Sequence, residues 1–181
     1  MINKNYQAEK LCGFYVSDWH LTITILPYIN SKIDKKTKII TILENNIEQN
    51  IKVLMEKLNL KNKKDILNIR WTSIDGKKYA NIENILNTEI TKNTENIILI
   101  SGNRNYIKII NNNINKWLEK TNIKSIKIIN FFEVTEFNND IINILNEHDK
   151  ILNTSGEREI FEVFDGYQDF MDFKNLENNL T

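Results

Sequence analysis

The chain has little of what usually punctuates or staples a fold. Its 181 residues include one Pro and five Gly, so no Pro/Gly-rich linker divides it. The single Cys, Cys12, excludes a disulfide framework and a cysteine-based metal cluster. There are only two His, His20 and His148, with no close partner, which argues against a metal centre. No apolar run approaches the roughly 18 residues of a membrane span. Met1 to Lys10 lacks the apolar stretch of a signal peptide. Neither sign of charge is in excess, with 24 Lys and Arg against 24 Asp and Glu. No global field therefore points to nucleic acid or to a membrane surface. The expectation is a soluble cytoplasmic protein that does not bind nucleic acid directly.

What the chain has in quantity is Ile (32), Asn (30) and Lys (21). All three have A/T-rich codons, so the excess reads as codon bias. On that ground the run Asn111-Asn112-Asn113 carries no signal, and the scarce residues matter more. Hydrophobic residues make up 41%, enough for one core.

The Ile fall in blocks. Apolar runs at 11–16 (LCGFYV), 38–43 (KIITIL), 66–71 (ILNIRW), 96–100 (NIILI) and 125–132 (SIKIINFF) read as strands. Runs this continuously apolar suit strands covered on both faces. Each is followed by a helix-like stretch, over 19–33, 47–58, 75–87, 105–120 and 138–152. In the first of these, Trp19, Ile23, Leu26 and Ile29 share a face, Asp18 suits an N-cap, and Pro27 predicts a kink or an early end. Strands alternating with helices predict an α/β fold with a mostly parallel central sheet and helices on both faces, a three-layer RecA-like or Rossmann-like sandwich. The expected layout is a tail over 1–10, one domain over 11–173 and a tail over 174–181. A further β-like run, 159–164 (EIFEVF), precedes an acidic aromatic end carrying Phe161, Phe164, Tyr167, Phe170 and Phe173. That end reads as edge packing or as a partner-binding segment.

In open parallel sheets, ligands bind beyond the carboxyl ends of the strands. The residues just past each run are the candidate ligand-binding set: Ser17, Asp18 and His20; Glu44; Ser101, Gly102, Asn103 and Arg104; and Glu133. Strand ends are also polar simply because loops lie at the surface. Ser101-Gly102-Asn103-Arg104 stands between a buried strand and a helix N-terminus, where backbone N–H groups favour an anion. Arg104 adds a potential grip on phosphate or carboxylate. His20, beside Asp18, reads as a general base or as a local cap. His148 reads as a solvated helix residue and Cys12 as an inert buried thiol. Trp71 reads as core. Glu44 and Glu133 are a possible carboxylate pair. No phosphate loop follows the first strand; Ser17-Asp18-Trp19-His20 has neither Gly nor Lys, which disfavours ATP hydrolysis.

The LCGFYV strand, the helix with Ile25-Leu26-Pro27-Tyr28-Ile29, the run ending at Glu44, and Phe131-Phe132-Glu133 before a helix together resemble the MEDS sensory domain. So does the run Glu159–Tyr167 with Asp165. That family is similar to the RecA/KaiC-like fold without a working phosphate loop. The resemblance implies a regulatory module that binds a small or nucleotide-like ligand without turnover, with Glu44 and Glu133 as polar strand-end positions. No cofactor is required beyond a possible nucleotide or small anion. A homodimer or a regulatory protein is the expected kind of partner. Two other readings remain open. One is a Rossmann-like transferase or hydrolase using Asp18, His20 or Glu133. The other is an adaptor using the acidic aromatic end.

Overall fold

The computed structural model describes residues 7–34, 36–123, 125–134 and 140–164. The elements in chain order are β1 (Gln7–Tyr15), α1 (Asp18–Lys32), β2 (Thr37–Leu43), α2 (Glu48–Lys57), α3 (Lys63–Leu67), α4 (Tyr79–Glu89), β3 (Glu95–Gly102) and α5 (Arg104–Glu119). They continue with β4 (Ser125–Glu133), α6 (Asp140–Asn146), β5 (Lys150–Asn153), β6 (Gly156–Arg158) and α7 (Ile160–Val163). The sheet order is β2-β3-β4-β1-β5-β6, parallel except for the β5–β6 hairpin. One face is covered by α1, α2 and α3, and the other by α4, α5 and α6. The expected α/β class with a mostly parallel sheet and two helical layers is what the chain adopts. β1 begins at Gln7, four residues ahead of the expected domain boundary, because residues 7–10 pair in register with β4. Among the described residues no helix is long and apolar enough to cross a membrane.

The Ile blocks become β2, β3 and β4 because alternate Ile serve opposite faces. Ile98 and Ile100 pack with α4 and α5, whereas Ile97 and Leu99 pack with α1 and α2. The spacing of Tyr106, Ile110, Ile114, Trp117 and Leu118 predicts one face for the stretch 105–120, and α5 turns that face inward, with Tyr106 half-buried and the other four buried.

Other expectations are corrected. The run 66–71 is not a strand. Ile66 ends up in the short helix α3, and the segment after it only skirts the β2 edge. There Thr41 donates its hydroxyl hydrogen to the Arg70 carbonyl, and Leu43 bridges to Ser73. The edge is covered rather than extended. Trp71 is core, as expected, with its indole N–H donated to the Ile66 carbonyl at 2.9 Å.

The helix expected over 138–152 stops at Asn146, and residues 150–153 form β5. Asp149 takes the Lys10 N–H at 2.8 Å and gives its own N–H to the Lys10 carbonyl, which draws the chain into the sheet beside β1. EIFEVF is not a strand either. Glu159 and Glu162 form a reciprocal capping box that starts α7. Tyr167, Phe170 and Phe173 of the aromatic end lie outside the described residues.

Helix α1 turns a different face inward from the expected one. Trp19 and Ile23 are 47% and 50% exposed, while Thr22 and Thr24 are buried. Those hydroxyls bond back to the Asp18 and His20 carbonyls, so the threonines present their methyl groups to the core. Ser17, not Asp18, is the N-cap, accepting the His20 N–H at 3.2 Å. The helix runs through Pro27 to Lys32. Pro27 lies on the exposed side, where water can serve the carbonyl that it leaves without a donor.

Candidate functional site

The strand order sets where the sheet opens. The chain leaves β1 through α1 on one face and leaves neighbouring β4 for α6 on the other. Adjacent strands with connections on opposite faces mark the crevice where open α/β sheets bind ligands.

The Ser101–Arg104 turn is built around Glu44. Gly102 has φ +156°, and a Cβ there would meet Glu44 Oε2 at 2.6 Å and Tyr106 Cδ1 at 2.8 Å. With no side chain in the way, Glu44 reaches the helix start. Its Oε2 accepts the Asn103 N–H and its Oε1 accepts from Asn103 Nδ2, both at 2.7 Å. Asn103 in turn caps α5 by accepting the Tyr106 N–H at 2.9 Å. The anion that the α5 N-terminus favours is thus supplied by the protein itself. Arg104 points elsewhere, pairing with Asp140 at 2.9 Å, with both side chains about half exposed.

On the opposite face of the sheet, Ser17, Asp18, Ser101 and Glu133 surround the end of β1. Val134 donates its N–H to the Tyr15 carbonyl at 2.9 Å and so ties the ends of β4 and β1 together. Burial, and then the charges of Glu133, Asp18 and Glu44, hold the Tyr15 phenol well above its ordinary pKa. The sequence therefore brings Asp18, Glu44 and Glu133 around one side chain that was not a candidate. His20 is occupied locally, with Nδ1 accepting the Val16 N–H at 3.3 Å. Among the described residues no group of three His, Cys, Asp or Glu side chains is placed to hold a metal ion. Cys12 is buried, and burial pushes its thiol up to about 12, so it stays protonated.

A polar cleft of about 490 Å³ lies between α5 and the end of α6. Its rim carries Arg104, Lys108 and Lys10, and its floor carries Asn111, Asn130 and His148. Asn111 Nδ2 donates to Asn130 Oδ1 at 3.0 Å, and Asn130 Nδ2 meets His148 Nε2 at 2.9 Å. The third link is His148 Nδ1 with the Ile144 carbonyl at 2.6 Å. A carbonyl only accepts, so Nδ1 carries the proton and Nε2 accepts from Asn130. The imidazole is therefore neutral. Burial holds its pKa below the ordinary histidine value, and Lys10 adds to this, against the opposing pull of the Ile144 carbonyl, Glu147 and Asp149. Phe132 stacks edge-on to it at 5.7 Å. Among the described residues, buried Asn111 Oδ1 has no hydrogen-bond partner.

Two readings made from the sequence are overturned in this cleft. His148 is not a solvated helix residue, and Asn111 is not background. The available signal was Asn130, a polar residue inside the apolar run SIKIINFF. A buried polar residue in a strand needs partners, and no local rule says that they come from positions 111 and 148. Of the strand-end set, the fold brings Asp18, Glu44, Ser101 and Glu133 towards Tyr15. It turns Arg104 towards the cleft and leaves His20 to its own helix.

No family model matches the chain, and no curated protein or solved structure is significantly similar to it.

Proposed function

We propose that the chain is a cytoplasmic sensory or regulatory module that holds a small anionic, nucleotide-sized ligand in the α5–α6 cleft without turning it over. The carrying observation is the Asn111–Asn130–His148 relay, a partly buried neutral polar floor beneath a rim of Lys10, Lys108, Arg104 and Glu147. A cleft of about 490 Å³ is in the range of small-molecule sites. The amides and the imidazole orient a polar ligand, and Lys10, Lys108 and Arg104 supply charge. The Arg104–Asp140 pair is half exposed, so it contributes little and gives way to a ligand anion. The missing phosphate loop and the MEDS-like segments favour binding over hydrolysis. The acid–base enzyme reading draws less support, because His20 is held by the Val16 N–H.

The test is thermal unfolding with nucleoside mono- and diphosphates and with small phosphorylated and carboxylated compounds. A ligand present at about one hundred times its Kd should stabilise the protein by about 2.7 kcal/mol. The variant with Arg104→Ala and Lys108→Ala should lose most of that gain. No shift with any of these compounds, or equal shifts in the variant, overturns the proposal.

A further inference from the structure

A groove of about 320 Å³ lies along the outer edge of β2 and shares no lining residue with the α5–α6 cleft. We propose that it binds the carboxyl-terminal end of a partner peptide, added to β2 as a short parallel strand with its terminal carboxylate on Arg70.

The hydrogen bonds at the two ends of β2 fix which way its backbone faces. The Lys36 carbonyl accepts the Glu95 N–H at 2.8 Å, and Glu44 donates its N–H to the Ser101 carbonyl at 2.9 Å, so even-numbered residues face β3. Leu43 faces away from β3, and its carbonyl accepts the Ile74 N–H at 2.8 Å. Successive residues of a parallel strand alternate between the two sides. Ile39 therefore turns its N–H and C=O outward, where no group among the described residues pairs with them. On one side of it the edge is taken by the bridge from Asp34 to Thr37. On the other, the segment 70–74 covers the edge from Thr41 onward, through the Thr41 hydroxyl on the Arg70 carbonyl and the Leu43–Ser73 bridge. The stretch between them is a template for a short length of another chain.

The groove selects its occupant. Ile39 is only 7% exposed although β2 is an outer strand, because Ile33, Asp34 and residues of the 65–70 segment wall the groove in. A single extended chain fits such a recess, and the broad edge of a second copy's sheet does not. Ile33 and Ile69 give alternate side chains of that chain an apolar wall. Because the segment 70–74 closes the groove at the carboxyl end of β2, a strand lying in it must end there. Arg70 stands at that end and lines the groove. Its side chain is exposed and, among the described residues, in no ion pair. A guanidinium grips a carboxylate through two parallel N–H groups. A chain that ends on Arg70 by its carboxylate runs parallel to β2.

The experiment is fluorescence polarisation of the full chain against a fluorescein-labelled pentapeptide, lysine-threonine-valine-threonine-valine, with a free carboxyl end. Saturable binding is expected. The C-terminal amide of the same peptide and the Arg70→Ala variant should each weaken it about tenfold, and Arg70→Lys less. N-methylation moved along the peptide should weaken binding at alternate amides only, since every second N–H of an added strand faces β2. No saturable binding overturns the proposal. Equal binding of the amide, or equal binding by Arg70→Ala, also overturns it, because the carboxylate is then not read. N-methyl sensitivity without alternation would mean that side chains alone are held. Dimerisation in sedimentation velocity that the peptide does not reverse would mean that a second copy occupies the edge. Either result overturns the proposal. Arg70 is exposed, so its variants should melt with the parent, which checks that they fold. Failure here leaves the α5–α6 cleft untouched, since the two sites share no residue.

Discussion

Two partly buried polar clusters flank the central strands, and they solve the same problem differently. Near the amino ends of β1 and β4, Lys127 is only 12% exposed yet meets Glu157 at 2.8 Å and Glu9 at 3.2 Å. Tyr28 donates its hydroxyl hydrogen to the same Glu157 at 2.8 Å. Burial alone would lower the Lys127 pKa and raise that of Glu157; the hydrogen bonds and charges between them reverse both. In the α5–α6 cleft the groups are neutral amides and an imidazole, and one buried acceptor, Asn111 Oδ1, has no partner among the described residues. A charge taken out of water must be paired, which closes the first cluster. Neutral groups tolerate an unfilled valence at smaller cost, which leaves the second open to a ligand. The closed cluster holds the sheet; the open one is the candidate for function.

Breaking the closed cluster should cost most. Lys127→Ala leaves Glu157 and Glu9 facing each other across a partly buried site. Loss of one partner of a fully buried pair costs about 3–5 kcal/mol. Here Glu9 is 38% exposed, and water screens it, so about 2 kcal/mol is expected. Urea unfolding at neutral pH measures it; a loss near zero would mean that the cluster is a surface network after all.

Asn130→Ala strikes the open cluster. It orphans His148 Nε2 and leaves Asn111 Nδ2 with the Ile107 carbonyl alone, at an expected cost of about 1–2 kcal/mol. It should also abolish any ligand-induced stabilisation. A variant as stable as the parent that still responds to ligand would show the relay to be incidental.

The smallest effect separates the two clusters by pH. The His148 pKa is depressed in the folded chain relative to its ordinary 6.5. Between those two values the unfolded chain takes up a proton that the native chain refuses. Stability is therefore full above 6.5 and falls as pH drops below it. Glu157, depressed below 4.5, contributes above that value and is lost only as pH falls further, through its folded pKa. Urea midpoints at pH 7.5 and 5.5 should differ in the parent and differ less in His148→Gln. An unchanged difference would assign the titration to another group.

Legibility from sequence followed the range of the interactions. The strands β2, β3 and β4 and the stripe of α5 show in the Ile spacing, because alternation and helical period are local properties of the chain. The turn at Gly102 was readable for the same reason. The run 66–71 misled because an apolar hexapeptide suits a strand or a helix end equally, and only the occupied β2 edge decides between them. Residues 150–152 read as the end of a helix because Asp149, which draws them to β1, finds Lys10 139 residues away. The relay behaved likewise: Asn111, Asn130 and His148 belong to a helix, a strand and a helix end.

By itself, then, the sequence determined the class of fold, the two apolar faces of the sheet, and the polar strand ends that could bear a ligand. Those follow from periodicity and burial, which each segment carries within itself. Tertiary structure decided which polar groups meet. It set Glu44 in the anion position at α5 and turned Arg104 towards Asp140 and the cleft. It left the Tyr15 hydroxyl among carboxylates. The reason is that a hydrogen bond or an ion pair depends on ångström-scale distance between segments remote in the chain, and no local pattern encodes that distance.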